Sequence, residues 1–143
     1  MKQLVVYYSY SGDTAKIAGK LAEKRGCELL EIKDVTRPGT FKAYTAGSFA
    51  AMKGKSWEIQ PLALDLAEYD RITILAPVWA GGPAPQINSL LERLPDAKFV
   101  EIVMVSGSGK SSCRKKLEER LNAKGCALVS FKNVRGKLAG QLD

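Results

Sequence analysis

Apolar and amphipathic stretches alternate along the chain. Five stretches are predicted to be strands, most of them nearly continuous in apolar residues as buried parallel strands are: 4–8, 27–33, 71–76, 98–105 and 126–131. Apolar residues at the spacing of one helical face predict helices at 15–25, 41–52, 86–94 and 111–124. This alternation predicts an α/β fold, in which a doubly wound parallel sheet of five strands carries helices on both faces.

The helix predicted at 41–52 has the weakest pattern of the four. Its large apolar residues fit one helical face: Phe41, Tyr44, Phe49 and Met52. Gly47 inside this stretch and Gly54 beyond it lower the stability of a helix here. Residues 56–67, which include Pro61, are predicted to be irregular, with room for a short helical turn before Tyr69.

The pattern breaks down at the end of the chain, in residues 132–143. Val134, Leu138 and Leu142 recur every fourth residue, but Gly136 and Gly140 interrupt them, so a full covering helix is not expected. One flank of the sheet would then be thinly covered. Such a flank favours a homodimer, while a truncated chain explains the pattern equally well, and the sequence leaves both open.

Three loops of small residues, 9–14, 77–83 and 106–110, each follow a predicted strand. Because the carboxyl ends of parallel strands meet at one edge of the sheet, we expect these loops to form one composite site. The first loop leads into a helix, whose free N–H groups and dipole suit a phosphate. In the alternative interpretation, its serine, aspartate and threonine only cap that helix.

Length and charge narrow the class of protein. The 143 residues fit a single domain, 1–143, and the net charge is +7, from 22 Lys and Arg against 15 Asp and Glu. The basic stretches at 110–124 and 132–137 lack interleaved aromatic residues, so we expect a solvated face or a small anionic partner and no nucleic acid. Neither a membrane span nor a secretion signal is recognisable, which favours a cytoplasmic protein without a membrane partner.

Histidine is absent, and three cysteines are present. The lack of histidine removes the usual general base and the commonest metal ligand, so neither a metal nor a hydrolase is expected. Cys27 and Cys126 each follow a glycine and open apolar segments, which predicts small buried side chains. Cys113 is expected in the first turn of a helix, where the dipole would lower its pKa and a redox role is conceivable.

The loop residues resemble those of flavodoxins. Residues 8–14, Tyr-Ser-Tyr-Ser-Gly-Asp-Thr, are similar to the flavodoxin phosphate loop, S/T-x-T/S-G-N-T. Tyr-Asp-Arg-Ile at 69–72, Ala-Pro-Val-Trp at 76–79 and Pro83 resemble the YD-x-I…PVW segment of short flavodoxin-like proteins. Ser-Gly-Ser-Gly at 106–109 stands where those proteins carry a third flavin loop. The resemblance covers 4–131 and implies the strand order 2-1-3-4-5 with noncovalently bound FMN.

The resemblance places cofactor-binding residues in all three loops: Ser9, Tyr10, Ser11, Gly12, Asp13, Thr14 and Ala15; Pro77, Val78, Trp79, Ala80, Gly81 and Gly82; and Ser106, Gly107, Ser108 and Gly109. Hydroxyl and N–H groups of the first loop would hold the phosphate. Trp79 would offer its flat face to the isoalloxazine ring, or else serve only as a core aromatic. Gly81 and Gly82 would let the backbone approach the flavin and turn a carbonyl toward it.

Three departures from the family pattern bear on function. Asp13 replaces the usual asparagine, the third loop has no tyrosine to cover the flavin, and the chain is basic whereas familiar flavodoxins are acidic. We expect an FMN-binding electron-transfer protein without a catalytic residue of its own, whose partner is a redox protein or a small anionic electron donor or acceptor. Two alternatives stay open: an NAD(P)H-dependent flavin or quinone reductase, and an interaction domain that binds no flavin.

Overall fold

The computed structural model describes residues 1–136. Its strands are β1 (Gln3–Tyr7), β2 (Glu28–Glu31), β3 (Arg71–Trp79), β4 (Gly82–Pro83), β5 (Phe99–Ser106) and β6 (Ala127–Arg135). Its α-helices are α1 (Asp13–Arg25), α2 (Thr40–Lys42), α3 (Ser48–Lys53), α4 (Pro85–Glu92) and α5 (Arg114–Ala123). A π-helical turn, Ala43–Gly47, joins α2 to α3, and a 3₁₀ turn, Leu66–Glu68, precedes β3.

The five longer strands form a parallel sheet in the order β2-β1-β3-β5-β6. Counted without the two-residue β4, this is the predicted order 2-1-3-4-5, and the predicted fold class is confirmed. The sheet departs from the prediction in one respect, because β4 folds back antiparallel on the end of β3.

Helices cover both faces of the sheet. On one face α1 packs through Ile17 and Leu21 against β-strand residues such as Val5 and Val103. On the other face α4 and α5 pack against the larger apolar cluster, to which Leu90 and Leu117 belong. In the described part of the chain, no helix has the length and apolar character needed to cross a bilayer.

Two strands run further than their sequence pattern predicts. β3 continues through Pro77 to Trp79, residues predicted to be loop, because β5 pairs with it as far as Pro77 and β4 pairs with the last two residues. β6 ends at Arg135 and not at residue 131, since its pairing with β5 continues to the end of that strand. Leu138 and Leu142, part of the interrupted C-terminal pattern, lie outside the described residues.

The predicted helix at 41–52 is present as a continuous helical stretch from α2 through α3. Small residues form its inward face: Ala43, Gly47, Ala50 and Ala51 are buried. Its large apolar residues turn to solvent, with Phe41 81% and Tyr44 79% exposed. Phe49 and Met52 are exposed on the same outward surface. We call these four exposed side chains the outer aromatic face.

Cys113 lies at the cap of α5 and not in its first turn, because that helix begins at Arg114 and not at residue 111. The thiol is buried, and burial raises its pKa, opposite to the expected effect of the helix dipole. The expected position in the first turn is therefore wrong, and the expected lowering of the thiol pKa is not found. Cys126 is buried as predicted, while Cys27 is partly exposed.

A charged cluster lies on the α1 face, near the amino ends of the central strands. Glu101 of β5 is 4% exposed and accepts hydrogen bonds from Arg25 at 3.1 Å and from Nε of Arg71 at 2.6 Å. The Arg25 guanidinium also donates to the Thr73 hydroxyl at 3.1 Å. A carboxylate inside an otherwise apolar strand is tolerated here because two guanidinium groups compensate its charge.

Replacing Glu101 should therefore destabilise the fold. In Glu101→Ala both guanidinium groups lose their buried counterion, and we expect a loss of about 2–3 kcal/mol in the free energy of unfolding. This figure lies below that for a fully buried pair because the side chains of Arg25 and Arg71 keep 17% and 34% of their exposure. Urea denaturation followed by circular dichroism measures the loss. Glu118→Ala on the exposed surface of α5 is the matched control, and equal effects of the two variants would contradict the prediction.

Candidate functional site

A cavity of about 630 Å³ opens at the carboxyl edge of the sheet, within the size range of small-molecule sites. The loops after β1 and β5 meet there, together with the ends of β3 and β6. The described residues on its wall are Ser11, Asp13, Thr14, Pro77, Val78, Trp79, Val105, Ser106, Gly107, Arg135 and Gly136. We call this space the edge cavity. It brings together eight of the residues predicted to bind a cofactor.

The first loop supplies the start of α1 to this cavity. Gly12 adopts φ 104°, a backbone conformation that favours glycine, and it precedes the helix without a capping side chain. The N–H groups of Asp13, Thr14 and Ala15 open the helix, where no intrahelical acceptor exists. Because these donors sit at the positive end of the helix dipole, the loop suits an anion such as a phosphate.

Two other residues of the first loop have structural partners. The Ser9 hydroxyl accepts the Gly12 N–H at 3.1 Å, which fixes the turn. The Tyr10 hydroxyl donates to the carbonyl of Pro38 at 2.8 Å, and the Arg37 guanidinium lies 4.1 Å from the Tyr10 ring centroid. Neither residue is among those on the cavity wall, so their predicted contact with a cofactor stays a prediction.

Trp79 is a wall residue whose indole is held in place by other aromatic rings. Tyr8, Tyr10 and Trp57 each meet it edge to face, at centroid distances of 6.3, 5.9 and 6.3 Å. The backbone of Gly47 lies directly against it, since a Cβ at that position would stand 2.6 Å from Cζ3 of the indole. Trp79 packs against the core and also lines the cavity, and its predicted contact with a flavin ring stays a prediction.

Beneath Trp79, a polar network fixes the ring of Tyr8. The Tyr8 hydroxyl donates to Oδ2 of Asp34 at 2.7 Å, and Nε2 of Gln86 donates to Oδ1 of the same carboxylate at 2.8 Å. Burial, followed by the hydrogen bond to Asp34, raises the pKa of Tyr8. The phenol therefore stays protonated at neutral pH and keeps its orientation under the indole.

The second predicted loop is a tight hairpin turn between β3 and β4. Ala80 and Gly81 have φ of 50° and 86°, the pattern of a type I′ turn. The carbonyl of Gly81 accepts the N–H of Ser112 at 2.8 Å, a bond that would have to break before this carbonyl could turn toward a flavin. Ala80, Gly81 and Gly82 line a different cavity, behind the turn.

The third loop contributes small residues to the edge cavity. The Ser106 hydroxyl accepts the N–H groups of Gly109 and Lys110 at 2.9 and 3.1 Å, so this loop closes on itself. Ser106 and Gly107 line the cavity, whereas Ser108 and Gly109 are not among the wall residues. No aromatic ring comes from this loop, so this wall is built from small residues.

Arg135, which the sequence analysis missed, lines the cavity as an exposed cation. The aliphatic part of the Arg135 side chain lies against the third loop. A Cβ placed on Gly109 would stand 3.1 Å from Cγ of Arg135. The next residue, Gly136, lies close to Asp13. A Cβ placed on Gly136 would stand 3.0 Å from Oδ2 of Asp13. Val134, a β-branched residue three positions beyond the predicted end of the strand, is the signal that could have indicated a longer strand. The described residues hold no group of acidic or cysteine side chains placed to bind a metal ion.

Comparison with known proteins places these observations in a family. A flavoprotein from Lactobacillus acidophilus NCFM, solved in complex with FMN, is 27% identical over 95% of this chain and 93% of that chain, with a TM-score of 0.76. The apo-form of the flavoprotein from the same organism is 30% identical over 92% and 91%, with a TM-score of 0.67. Flavodoxin 2 from Bacillus cereus is 20% identical over 100% and 88%, with a TM-score of 0.56, and shows the shared fold.

No match was found among curated protein sequences. A sequence model described as Flavodoxin matches residues 2–141, nearly the whole chain. The resemblance seen in the loop residues is thereby confirmed, and the chain belongs to the flavodoxin family.

Proposed function

We propose that this protein binds FMN noncovalently in the edge cavity and acts as an electron-transfer protein. One observation carries the proposal: a single cavity joins the uncapped N-terminal turn of α1 to the indole of Trp79. FMN has the matching chemistry, a phosphate at one end and a flat apolar ring at the other. The L. acidophilus flavoprotein that is similar to this chain holds FMN in its crystal structure.

Each wall of the cavity has a distinct role in this proposal. The N–H groups that open α1 and the Thr14 hydroxyl bind the phosphate, and Arg135 adds a positive charge at the same wall. Trp79 stacks on the ring, a contact worth about 1 kcal/mol beyond simple burial. The apolar residues Val78 and Val105 exclude water from it. Bound FMN supplies the redox chemistry, and the protein sets its environment.

A carrier needs a surface on which a redox partner can dock, and the outer aromatic face offers one. It lies on the helical stretch whose inner side contacts Trp79 through Gly47. Lysines accompany the exposed rings, with Nζ of Lys53 and Lys55 within 5.7 and 5.8 Å of the Phe49 ring centroid. Apolar surface edged by positive charge suits a partner protein of acidic character.

Titration of the flavin-free protein with FMN tests the proposal. We expect the Trp57→Phe variant, which retains Trp79 as its single tryptophan, to lose most of its fluorescence as FMN binds, because the flavin would lie against the remaining indole. Isothermal calorimetry on the same sample gives the affinity independently. FMN that produces neither quenching nor heat would refute the proposal and leave the non-flavin interaction domain as the interpretation.

Asp13 should weaken phosphate binding, because its carboxylate shares the cavity wall with the N–H groups that open α1. Asp13→Asn removes a like charge from the phosphate, and we expect FMN to bind about fivefold more tightly, the equivalent of about 1 kcal/mol. Riboflavin lacks the phosphate, so its affinity should not change.

Glu23→Gln removes a carboxylate from the far end of the same helix and serves as the matched control. Calorimetric titrations of both variants with both ligands give the comparison. An equal gain for FMN and riboflavin, or an equal gain in the control variant, would show that the Asp13 carboxylate does not oppose the phosphate.

A reductase of the same fold is the second candidate function. It is favoured by the third loop, which brings only small residues to its side of the cavity and would leave room for a second reactant beside the flavin. If the protein is a carrier, NADPH should bleach the flavin absorbance only slowly in a stopped-flow experiment, whereas photochemical one-electron reduction should proceed. Rapid bleaching by NADPH, saturating with its concentration, would identify the reductase instead.

The state of the cysteines supports a cytoplasmic location as part of the proposal. Cys27, Cys113 and Cys126 are free thiols. Free thiols persist in reducing compartments, whereas oxidising compartments favour disulfides.

A further inference from the structure

A second cavity, of about 590 Å³, lies behind the hairpin turn at Ala80 and Gly81. The end of α3, the turn itself and one side of α5 form its walls. It shares no described wall residue with the edge cavity, so the two spaces are separate sites on opposite sides of the hairpin. We call it the rear cavity. The FMN proposal assigns it no role.

Positive charge dominates the wall of the rear cavity. Lys53, Lys116 and Arg120 line it against one acidic residue, Glu119. Within residues 1–136, no carboxylate oxygen lies within 4.0 Å of a nitrogen of these three cations. Cations that outnumber the acidic residues at a concave surface create a positive potential that attracts anions.

Arg120 is the most firmly placed of the three cations. Its guanidinium donates to Oδ1 of Asn88 at 2.7 Å, and the Asn88 amide in turn donates to the carbonyl of Lys55 at 2.9 Å. Asn88 is 1% exposed, so a buried side chain fixes the guanidinium at the cavity wall. Burial lowers the pKa of Arg120, while the charge of Glu92 acts in the opposite direction, so the guanidinium is a partly desolvated charge. A charge in this condition gains from an anionic partner.

The rest of the wall combines apolar surface with a hydroxyl group. Met52, Pro83 and Leu117 provide the apolar part, and Ser112 provides the hydroxyl. The backbone N–H of Ser112 holds the carbonyl of Gly81, two residues after Trp79. A molecule in the rear cavity would therefore touch the turn whose other side leads to the edge cavity.

We propose that the rear cavity binds a small organic anion with an apolar body and an oxyanion head group, a carboxylate or a phosphate. The head group contacts Arg120 and Lys116, and the body lies on the apolar wall beside the turn. A bare inorganic anion would leave that apolar surface uncovered, and a neutral molecule would leave the cations unpaired. The site stands independently of FMN binding, because no residue of the edge cavity contributes to it.

Amide chemical shifts of the ¹⁵N-labelled protein, recorded with saturating FMN, test the proposal. Benzoate and phenyl phosphate are the anionic probes, and benzamide is the neutral probe of similar shape. We expect the anions to shift the amide signals of Gly81, Ser112 and Cys113 in a saturable manner, and benzamide to shift them far less. Binding of either anion supports the site, and the tighter of the two identifies the preferred head group.

Two variants tie the binding to the cations of the cavity. Lys116→Gln should weaken the tighter anion about threefold, the loss expected for an exposed charge pair. Arg120→Gln should weaken it about tenfold, the loss expected for a hydrogen bond to a charged group. Lys115→Gln, which removes the neighbouring exposed lysine outside the cavity, is the matched control and should leave affinity unchanged.

Three results would overturn the proposal: shifts confined to the signals of Ser11 and Thr14, equal affinity for benzamide, or equal effects of Lys115→Gln and Lys116→Gln. The proposed function is judged separately, by the FMN titration. A protein that binds no FMN but shows these anion-dependent shifts would refute the electron-transfer proposal and retain the rear cavity as an anion site.

Discussion

The contact between a bare glycine backbone and the Trp79 indole is the constraint on which the site depends. Any side chain at Gly47 would collide with the ring, and the edges of Tyr8 and Trp57 limit its movement elsewhere. Close packing of this kind leaves the indole one position. The wall of the edge cavity, the hairpin turn that follows it and the helical stretch above it are therefore positioned together.

Much of this arrangement could be predicted because it depends on local pattern. Apolar strands followed by small polar loops indicate a parallel sheet and the edge at which a ligand binds. The stretch from Pro77 to Trp79 could not be assigned in this way, because its strand conformation depends on pairing with β5 and β4, residues distant in sequence. Proline and glycine neighbours indicate a loop locally, and the tertiary hydrogen bonds outweigh that preference.

The helical stretch from α2 to α3 shows a different limit of sequence patterns. Periodicity identified the face that carries Phe41 and Tyr44, but it does not state which face is buried. Here the small side chains of Ala43 and Ala50 face inward, because the space between this helix and the Trp79 indole admits only small side chains. The large side chains consequently face outward, where they form the outer aromatic face.

β6 contains a β-bulge at Val129. Its neighbours Leu128 and Ser130 pair with the consecutive residues Val100 and Glu101 of β5, so Val129 has no partner. A one-residue slip exchanges the two faces of a strand. Without this bulge, Ser106 would stand opposite Val134, and Arg135 would turn toward α1. An inserted residue about 20 Å away from Arg135 along the strand thus decides whether the edge cavity receives a cation or an aliphatic side chain.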